Sequence, residues 1–325
     1  MSVTFVSWKK IAALIVIGFA CVASFSMYSV AQSENAGNGL QISPVIFDDP
    51  DLQLDPGDSQ KVNISVKNVT DSPVNVTTFV EDFSADELEG GRPLIIEDED
   101  YAYGLKSFVR DLPKFALDPG ETEETSVTFD IPQTATPGGH YGIVRFSTNS
   151  ETSEESLTLS ASVGTLVLLE VSGEINESIA LLDFKSASAD DLEAAEIASK
   201  SVFNSPPVGF VTRIQNNGNT HVKPIGSINV KNMLGNTVET LNFNQDRSNV
   251  LPDSIRRYTN QFNSGFKFGR YTAELTVAYG DNGDQFIEQS ISFWIIPWKI
   301  VAAAVGAIAL LGAVIWYFRT NYRRR

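Results

Sequence analysis

From Leu40 onward the chain alternates apolar and polar side chains in short runs. VNISVKN (62–68), VNVTTFVEDF (74–83), TSVTFDI (125–131) and IVRFST (143–148) follow the alternation wholly or in part. LTLSASVGTLVLLEV (157–171) starts the same way and ends almost entirely apolar. Pro, Gly, Asp and Asn separate the runs, and period-two alternation bounded by such residues predicts half-buried strands of a β-sandwich. The pattern resumes at SIALLDF (178–184) and VGFVTRIQNNGN (208–219). SINVKNMLGNTVETLNF (227–243) reads as a hairpin turning at Leu234-Gly235-Asn236, and the run 273–295 as another turning at Asp281 to Gly283. One stretch departs from this. ADDLEAAEIASK (189–200) has acids early and a lysine late, which predicts a short helical insert.

Two weak internal repeats sharpen the expectation. LDPGDSQKVNISV begins at Leu54 and LDPGETEETSVTF at Leu117, each placing a Pro-Gly turn of type II before an alternating strand. VLPDSIRRYTNQF, from Val250, supplies a third turn of this kind. GGHYGIVRF (138–146) and FGRYTAELTV (268–277) both run Gly, one residue, Tyr, strand. Immunoglobulin-like sandwiches carry a Tyr at this strand start, two residues before a disulfide cysteine. Here those later positions are Ile143 and Ala273, which predicts cores where packing replaces the disulfide. The fold expected is all-β: two immunoglobulin-like sandwiches in tandem, at 40–173 and 174–296.

Two uninterrupted apolar runs flank this region. IVAAAVGAIALLGAVIWYF (300–318) carries no charge and, as a helix, spans roughly 28 Å, close to a bilayer's hydrocarbon core. Trp294 and Trp298 lie on one side of it and Trp316 near the other end. Arg319, Arg323, Arg324 and Arg325 then form a basic tail at 319–325, which the positive-inside bias places in the cytoplasm. At the other end MSVTFVSWKK, an apolar run and small residues at Ser29 and Ala31 predict a signal peptide over 1–31. A retained N-terminal anchor is the alternative. Residues 32–39 read as a spacer. The expected placement is a single-pass protein of the cell membrane, its ectodomain outside.

The composition narrows the choice of partner. The 325 residues carry a net charge of -16, but the region between the two apolar runs has 17 basic and 40 acidic side chains, a net of -23. Nucleic acid is therefore not an expected partner, since its affinity comes largely from Lys and Arg on phosphates. Cys21, in the first apolar run, is the sole cysteine. The body can form neither a disulfide nor a thiolate metal site.

Candidate chemistry is sparse. His140 and His221 each sit beside a turn and read as turn residues rather than bases. The acidic cluster Glu97 to Asp100 and the Asp281-Asn282-Gly283-Asp284 turn could offer oxygen ligands to calcium. The first lacks the spacing of a known loop and the second is explained as a hairpin. Asn63, Asn68, Asn75 and Asn176 head Asn-x-Ser/Thr triplets, which matter only in a host that glycosylates exported proteins. An enzyme would rest on unplaced carboxylates such as Asp98 and Asp100. The expectation is a protein that is not an enzyme, with no catalytic, cofactor-binding or metal-ligating residue assigned.

The order of several stretches carries a resemblance. QISPVIFD (41–48), LDPGDSQKVNISVKNVTDSPVNV, LDPGETEETSVTFDIPQTATPGGHYGIVRF and VGTLVLLEV lie in the first half. FNSPPVGF, QNNGNTHVKPIGSINVKNMLGN, NVLPDSIRRY, FGRYTAELTVAYG and FWIIPWK lie in the second. Together they resemble the bacterial WxL-interacting protein family, and more closely its single-span relatives on bacterial cell surfaces. The resemblance implies a first domain that binds peptidoglycan and a second that contacts host or partner proteins, and it carries over no site residue. The function expected is a non-catalytic, membrane-anchored surface protein that binds peptidoglycan, another cell-wall polymer or other surface proteins. The alternative is a chaperone-like or assembly factor using an exposed strand edge.

Overall fold

A computed structural model describes residues 39–48, 52–87, 89–97, 101–149, 162–263, 268–280 and 283–322. The expected signal peptide, residues 32–38 of the spacer, Asp98 to Asp100, Asp281, Asn282 and Arg323 to Arg325 lie outside the described residues.

The first domain contains, in chain order, β1 (Leu40–Ser43), β2 (Ile46–Phe47), β3 (Gln53–Leu54), β4 (Ser59–Asn68), β5 (Val74–Ala85), β6 (Pro93–Ile96), β7 (Val109–Arg110), β8 (Lys114–Leu117), β9 (Thr122–Asp130), β10 (Gly138–Asn149) and β11 (Ser162–Val171). One sheet runs β1-β4-β9-β7. It faces a second, β2-β11-β10-β5-β6, to which β3 and β8 add at the margins. The Pro-Gly turns form as expected. Asp58 N–H donates to Asp55 C=O at 3.0 Å and Glu121 N–H to Asp118 C=O at 3.0 Å. Gly57 and Gly120, at φ 95° and 76°, occupy the left-handed corner that a type II turn reserves for glycine. Behind each turn the alternation buries one face: Ile64 and Val66 of β4 and Val127 and Phe129 of β9 meet Val80, Val144, Phe146 and Leu169 of the other sheet.

The second domain contains β12 (Ile179–Ser188), β13 (Val202–Phe203), β14 (Val208–Asn216), β15 (Ile225–Asn232), β16 (Thr237–Phe243), β17 (Ile255–Phe262), β18 (Gly269–Tyr279) and β19 (Gln285–Ile295). Sheet β12-β14-β17 packs on sheet β13-β19-β18-β15-β16. Its core is aromatic. Phe293 lies 5.6 Å from Phe210, 6.2 Å from Phe262 and 5.7 Å from Tyr271, ring centre to ring centre. This cluster and the buried Ala273 stand where a disulfide would in an immunoglobulin domain.

The structure corrects two expectations. Only Ala189–Asp191 makes a helical turn, of 3-10 type, rather than the whole of 189–200. Twelve residues are too few to hold a helix unaided. Leu192 and Ile197 instead fold onto Ala187 and Val211, covering the outer face of β12 and β14. The two Gly-x-Tyr strands also differ. Tyr271 and Ala273 point into their sandwich, whereas Tyr141 and Ile143 point out of theirs, with Val144 and Phe146 inward instead. A one-residue offset reverses every side chain of a strand, so Ile143 does not stand in for a core cysteine.

Helix α1 (Trp298–Tyr322) closes the described chain. Its stretch Trp298–Arg319, with a mean hydropathy of 2.3, is long and apolar enough to cross a membrane, and none of it is buried. Just Ile296 and Pro297 separate it from β19. Trp294 and Ile296 N–H groups donate to the carbonyls of Ser201 and Phe203 at 2.8 and 2.7 Å. Pro297 C=O accepts from Ile300 and Val301 at 2.9 and 3.1 Å. Strand β13 thus holds the chain as far as Ile296, and Pro297 opens the first helical turn directly after it.

Candidate functional site: the cleft between the sandwiches

The outward turn of Tyr141 and Ile143 builds the junction of the two domains. With Phe83 of β5 and Leu168 of β11 they form an apolar plate on the outer face of the first domain, which Leu251 of the second covers. Burial on both faces explains why β11 is apolar almost throughout. Leu251 opens the Leu-Pro-Asp-Ser turn, closed by Ser254 N–H to Leu251 C=O at 3.3 Å, with Asp253 at φ 54°. Asp253 in turn accepts from the Tyr103 hydroxyl at 2.8 Å. Burial and this carboxylate push the Tyr103 phenol up to about 12, which keeps it a donor.

A polar strip flanks the plate. Asp48, just after β2, accepts from His221 Nε2, from Asn249 Nδ2 and from the Lys223 ammonium, each at 3.1 Å. With Nε2–H donating, Nδ1 of His221 is left to accept from the Tyr141 hydroxyl at 3.4 Å. Burial raises the Asp48 carboxyl, but the hydrogen bonds from His221, Asn249 and Lys223 outweigh it and hold the group well below its ordinary 3.8. On the far side of the plate Arg213 forks onto Glu89, Nε to Oε2 at 2.7 Å with its terminal nitrogen on Oε1. Arg257 N–H donates to Glu89 C=O at 2.9 Å. Asn219 secures the linker: its side chain donates to Pro137 C=O at 3.1 Å and Glu174 C=O at 2.9 Å, and accepts from Asn176 N–H at 2.7 Å.

Between plate and strip lies a cleft of about 450 Å³. Ile46, Phe83, Leu166, Leu168 and Leu251 give it an apolar floor. Arg92, Lys223, Arg247 and Arg256 line it with Asp48 and Asp246. Four cations against two carboxylates invert, locally, the sign of a body whose net charge is -23. Arg247 is thrown outward by the β16–β17 loop, which Asn244 holds through Ser248 C=O at 2.9 Å and Ser248 N–H at 2.8 Å. Arg256 donates to Asn249 C=O at 2.7 Å, and its guanidinium lies against Gly91 across the domain boundary. A Cβ at Gly91, already at φ 69°, would stand 2.3 Å from the Arg256 guanidinium carbon. Lys223 and Arg247 also line a second hollow of about 350 Å³, shared with Glu170, Glu177 and Tyr279. Such a surface suits an anionic group attached to an apolar body.

The structure moves both histidines out of simple turn roles. His221 is the hinge of the polar strip. His140 lies in β10, its ring tilted at 52° against that of Phe108 with centres 4.7 Å apart, and both ring nitrogens face backbone carbonyls, those of Gly104 at 3.1 Å and Thr136 at 3.0 Å. No group of three His, Cys, Asp or Glu gathers as metal ligands among the described residues. Glu97 is exposed, and the rest of its acidic cluster lies outside the described residues. Sequence reasoning assigned no role to Asp48, Lys223, Arg247 or Arg256. The available signal was their place in or beside the QISPVIFD, QNNGNTHVKPIGSINVKNMLGN and NVLPDSIRRY stretches.

No protein-family profile and no curated protein matches the chain. Solved structures do align with it. The class 5 fimbriae chaperone CfaA does so with a TM-score of 0.39 at 14% identity, over 78% of this chain and 98% of its own. The Escherichia coli chaperone DraB aligns with a TM-score of 0.32 at 11% identity, over 79% and 96%. A Porphyromonas gingivalis protein of unknown function aligns with a TM-score of 0.28 at 15% identity, over 79% and 99%. The chain is an all-β protein of two immunoglobulin-like sandwiches followed by one apolar helix, and likenesses this distant carry no argument about what it binds.

Proposed function

We propose that this is a non-catalytic, membrane-anchored cell-surface protein that holds an anionic group of a cell-wall polymer or partner protein in the cleft between its two sandwiches. The observation that carries this is the cluster of Arg92, Lys223, Arg247 and Arg256 over an apolar floor, in a domain pair otherwise strongly acidic. Helix α1 is the anchor, with Arg319 on its cytoplasmic side. β18 is 11 residues long and runs from the helix end of the second domain to the cleft end. At about 3.3 Å per residue it lifts the cleft roughly 35 Å above the bilayer, toward the wall. The resemblance to WxL-interacting proteins agrees with this placement. The test is co-sedimentation of the detergent-solubilised full chain with purified cell-wall material across a salt series. Retention that weakens with salt is the expected result. No retention of wall material or of any surface partner at any salt would refute the proposal.

A second reading rests on β19. β13 pairs with Trp294 and Ile295 alone, so on that side Gln285 to Phe293 have no strand partner among the described residues. A client strand could add there, as in chaperone-like or assembly factors. Loss of an exported client when the protein is deleted, without affinity for wall material, would favour it.

A further inference from the structure

The end of the second sandwich next to the helix differs from the rest of the body. β18 and β19 pair Gly269 with Ile295, and β15 and β18 pair Asn232 with Tyr271. The tip of the β15–β16 hairpin and the start of β18 therefore lie level with the start of α1. Met233 is 63% exposed, Leu234 79%, Phe268 58%, Trp294 45% and Trp298 55%. They form one patch: a Cβ on Gly269 would stand 2.3 Å from Met233 Cε, and Trp294 pairs with Arg270 beside it.

Two further features point to what covers the patch. The segments 200–207, 231–236, 268–270 and 294–299 at this end contain no Asp or Glu; acids near them, Asp190 and Asp191, follow β12 on the opposite sheet, where Ser188 pairs with Val208. Lys200, Arg270 and Lys299 are exposed there; Lys231 is ion-paired with Glu274 at 2.6 Å and is not counted. The hairpin tip also bonds the N–H groups of Leu234, Gly235 and Asn236 within itself. Asn232 Oδ1 accepts from the Leu234 and Asn236 N–H groups at 2.9 and 3.1 Å, and Asn232 C=O from Gly235 N–H at 2.9 Å. A loop entering an apolar medium must do this, since no water there can take those donors. Apolar and aromatic tips, a basic rim formed by acid-free segments and a turn that bonds most of its own donors are the properties of a surface seated at a lipid headgroup layer.

We infer that this end of the sandwich is a second membrane contact, in which Met233, Leu234 and Phe268 insert among lipid headgroups and Lys200, Arg270 and Lys299 meet anionic lipid phosphates. The inference rests on the reading of α1 as a membrane span. It makes the second domain a foot standing on the bilayer at several points.

The test uses the full chain with Cys21→Ser, carrying an environment-sensitive dye on one cysteine in turn: Leu234→Cys, Phe268→Cys, Ile308→Cys in the helix, or Gln285→Cys at the opposite end of the sheet. Each is reconstituted into phosphatidylcholine–phosphatidylglycerol vesicles with or without doxyl-labelled lipid. The expected result is about two-fold or greater dimming at 234 and 268 as well as at 308, and none at 285. The dimming at 234 should fall when Arg270→Gln and Lys200→Gln are introduced. Dimming at 308 but at neither 234 nor 268 would overturn the inference and leave the span intact. No dimming at 308 would overturn the span itself. An apolar dye signal at 234 that doxyl lipid does not touch would assign the patch to a protein partner, and would also overturn the inference.

Discussion

Tyr141 and His221 meet across the two sandwiches, hydroxyl to Nδ1 at 3.4 Å, although 80 residues separate them in the chain. Each is buried, and each completes its hydrogen bonding through the other domain. The bond is long, but His221 is fixed at its other nitrogen by Asp48. The pair makes the junction a packed interface rather than a flexible linker, and the cleft keeps its shape as long as they stay in register.

His221→Ala would take away the imidazole that the Tyr141 hydroxyl and the Asp48 carboxylate both bond. Losing one side of buried hydrogen bonds costs about 1–3 kcal/mol, so urea denaturation should show a lower midpoint and separate transitions for the two domains. Tyr141→Phe, which gives up one long bond, should cost under about 1 kcal/mol in the same measurement. Equal losses in the two variants would mean that ring packing matters here rather than hydrogen bonding.

Asp48 should make the junction sensitive to acid. Its folded-state pKa is depressed below the ordinary 3.8. Its contribution is therefore fully present above that value and is lost as pH falls through the depressed folded value. Stability followed by tryptophan fluorescence should fall on acidification below about pH 4. Asp48→Asn should flatten that part of the curve while lowering the plateau at neutral pH. An unchanged acid limb in the variant would place the acid sensitivity elsewhere.

Arg247→Glu tests the cleft with little risk to the fold, since the side chain is exposed and makes no ion pair among the described residues. Reversing a charge that faces an anionic group should weaken binding about ten-fold or more and reduce its salt dependence, with the melting temperature unchanged. Asp246→Asn should act in the opposite direction. Binding indifferent to both would remove the cleft from consideration.

Gly91→Ala should both strain a left-handed backbone position and push Arg256 off its seat. A loss of about 1–3 kcal/mol is expected, together with weaker anion binding. Gly235→Ala, in a turn with open space around its Cβ position, separates the two effects: it strains the backbone at φ 82° but displaces no neighbour. Binding should survive in that variant.

Phe293→Ala removes the ring on which Phe210, Phe262 and Tyr271 converge. A loss of about 3–5 kcal/mol is expected from chemical denaturation. Because β19 leads directly into α1, limited proteolysis should then cut the chain near residues 296–299, which the intact junction protects.

Much of this architecture was legible in local pattern. Alternation marked the strands, the Pro-Gly and Leu-Pro-Asp turns formed as read, the hairpin at Leu234-Gly235-Asn236 is present, and the apolar run at 300–318 lies within one helix. These features depend on neighbours a few residues apart, where backbone sterics and hydrophobic period act directly. The run 189–200 misled because its charge pattern favours a helix weakly, while burial of Leu192 and Ile197 against β14 outweighs that preference.

The sequence by itself determined that this is a strand-built, cysteine-free, acidic body with an apolar helix at one end of it. Tertiary structure decided which face of each strand became core. Tyr141 and Tyr271 share a motif, yet one completes a domain junction and the other a sandwich interior, because β10 carries apolar side chains on both faces and its alternation does not say which face is core. It also decided the site. Asp48 and His221 are 173 positions apart, and Arg92 shares a cleft with Arg247 and Arg256. A cluster of that kind exists only once the two sandwiches dock, and no local pattern records their docking.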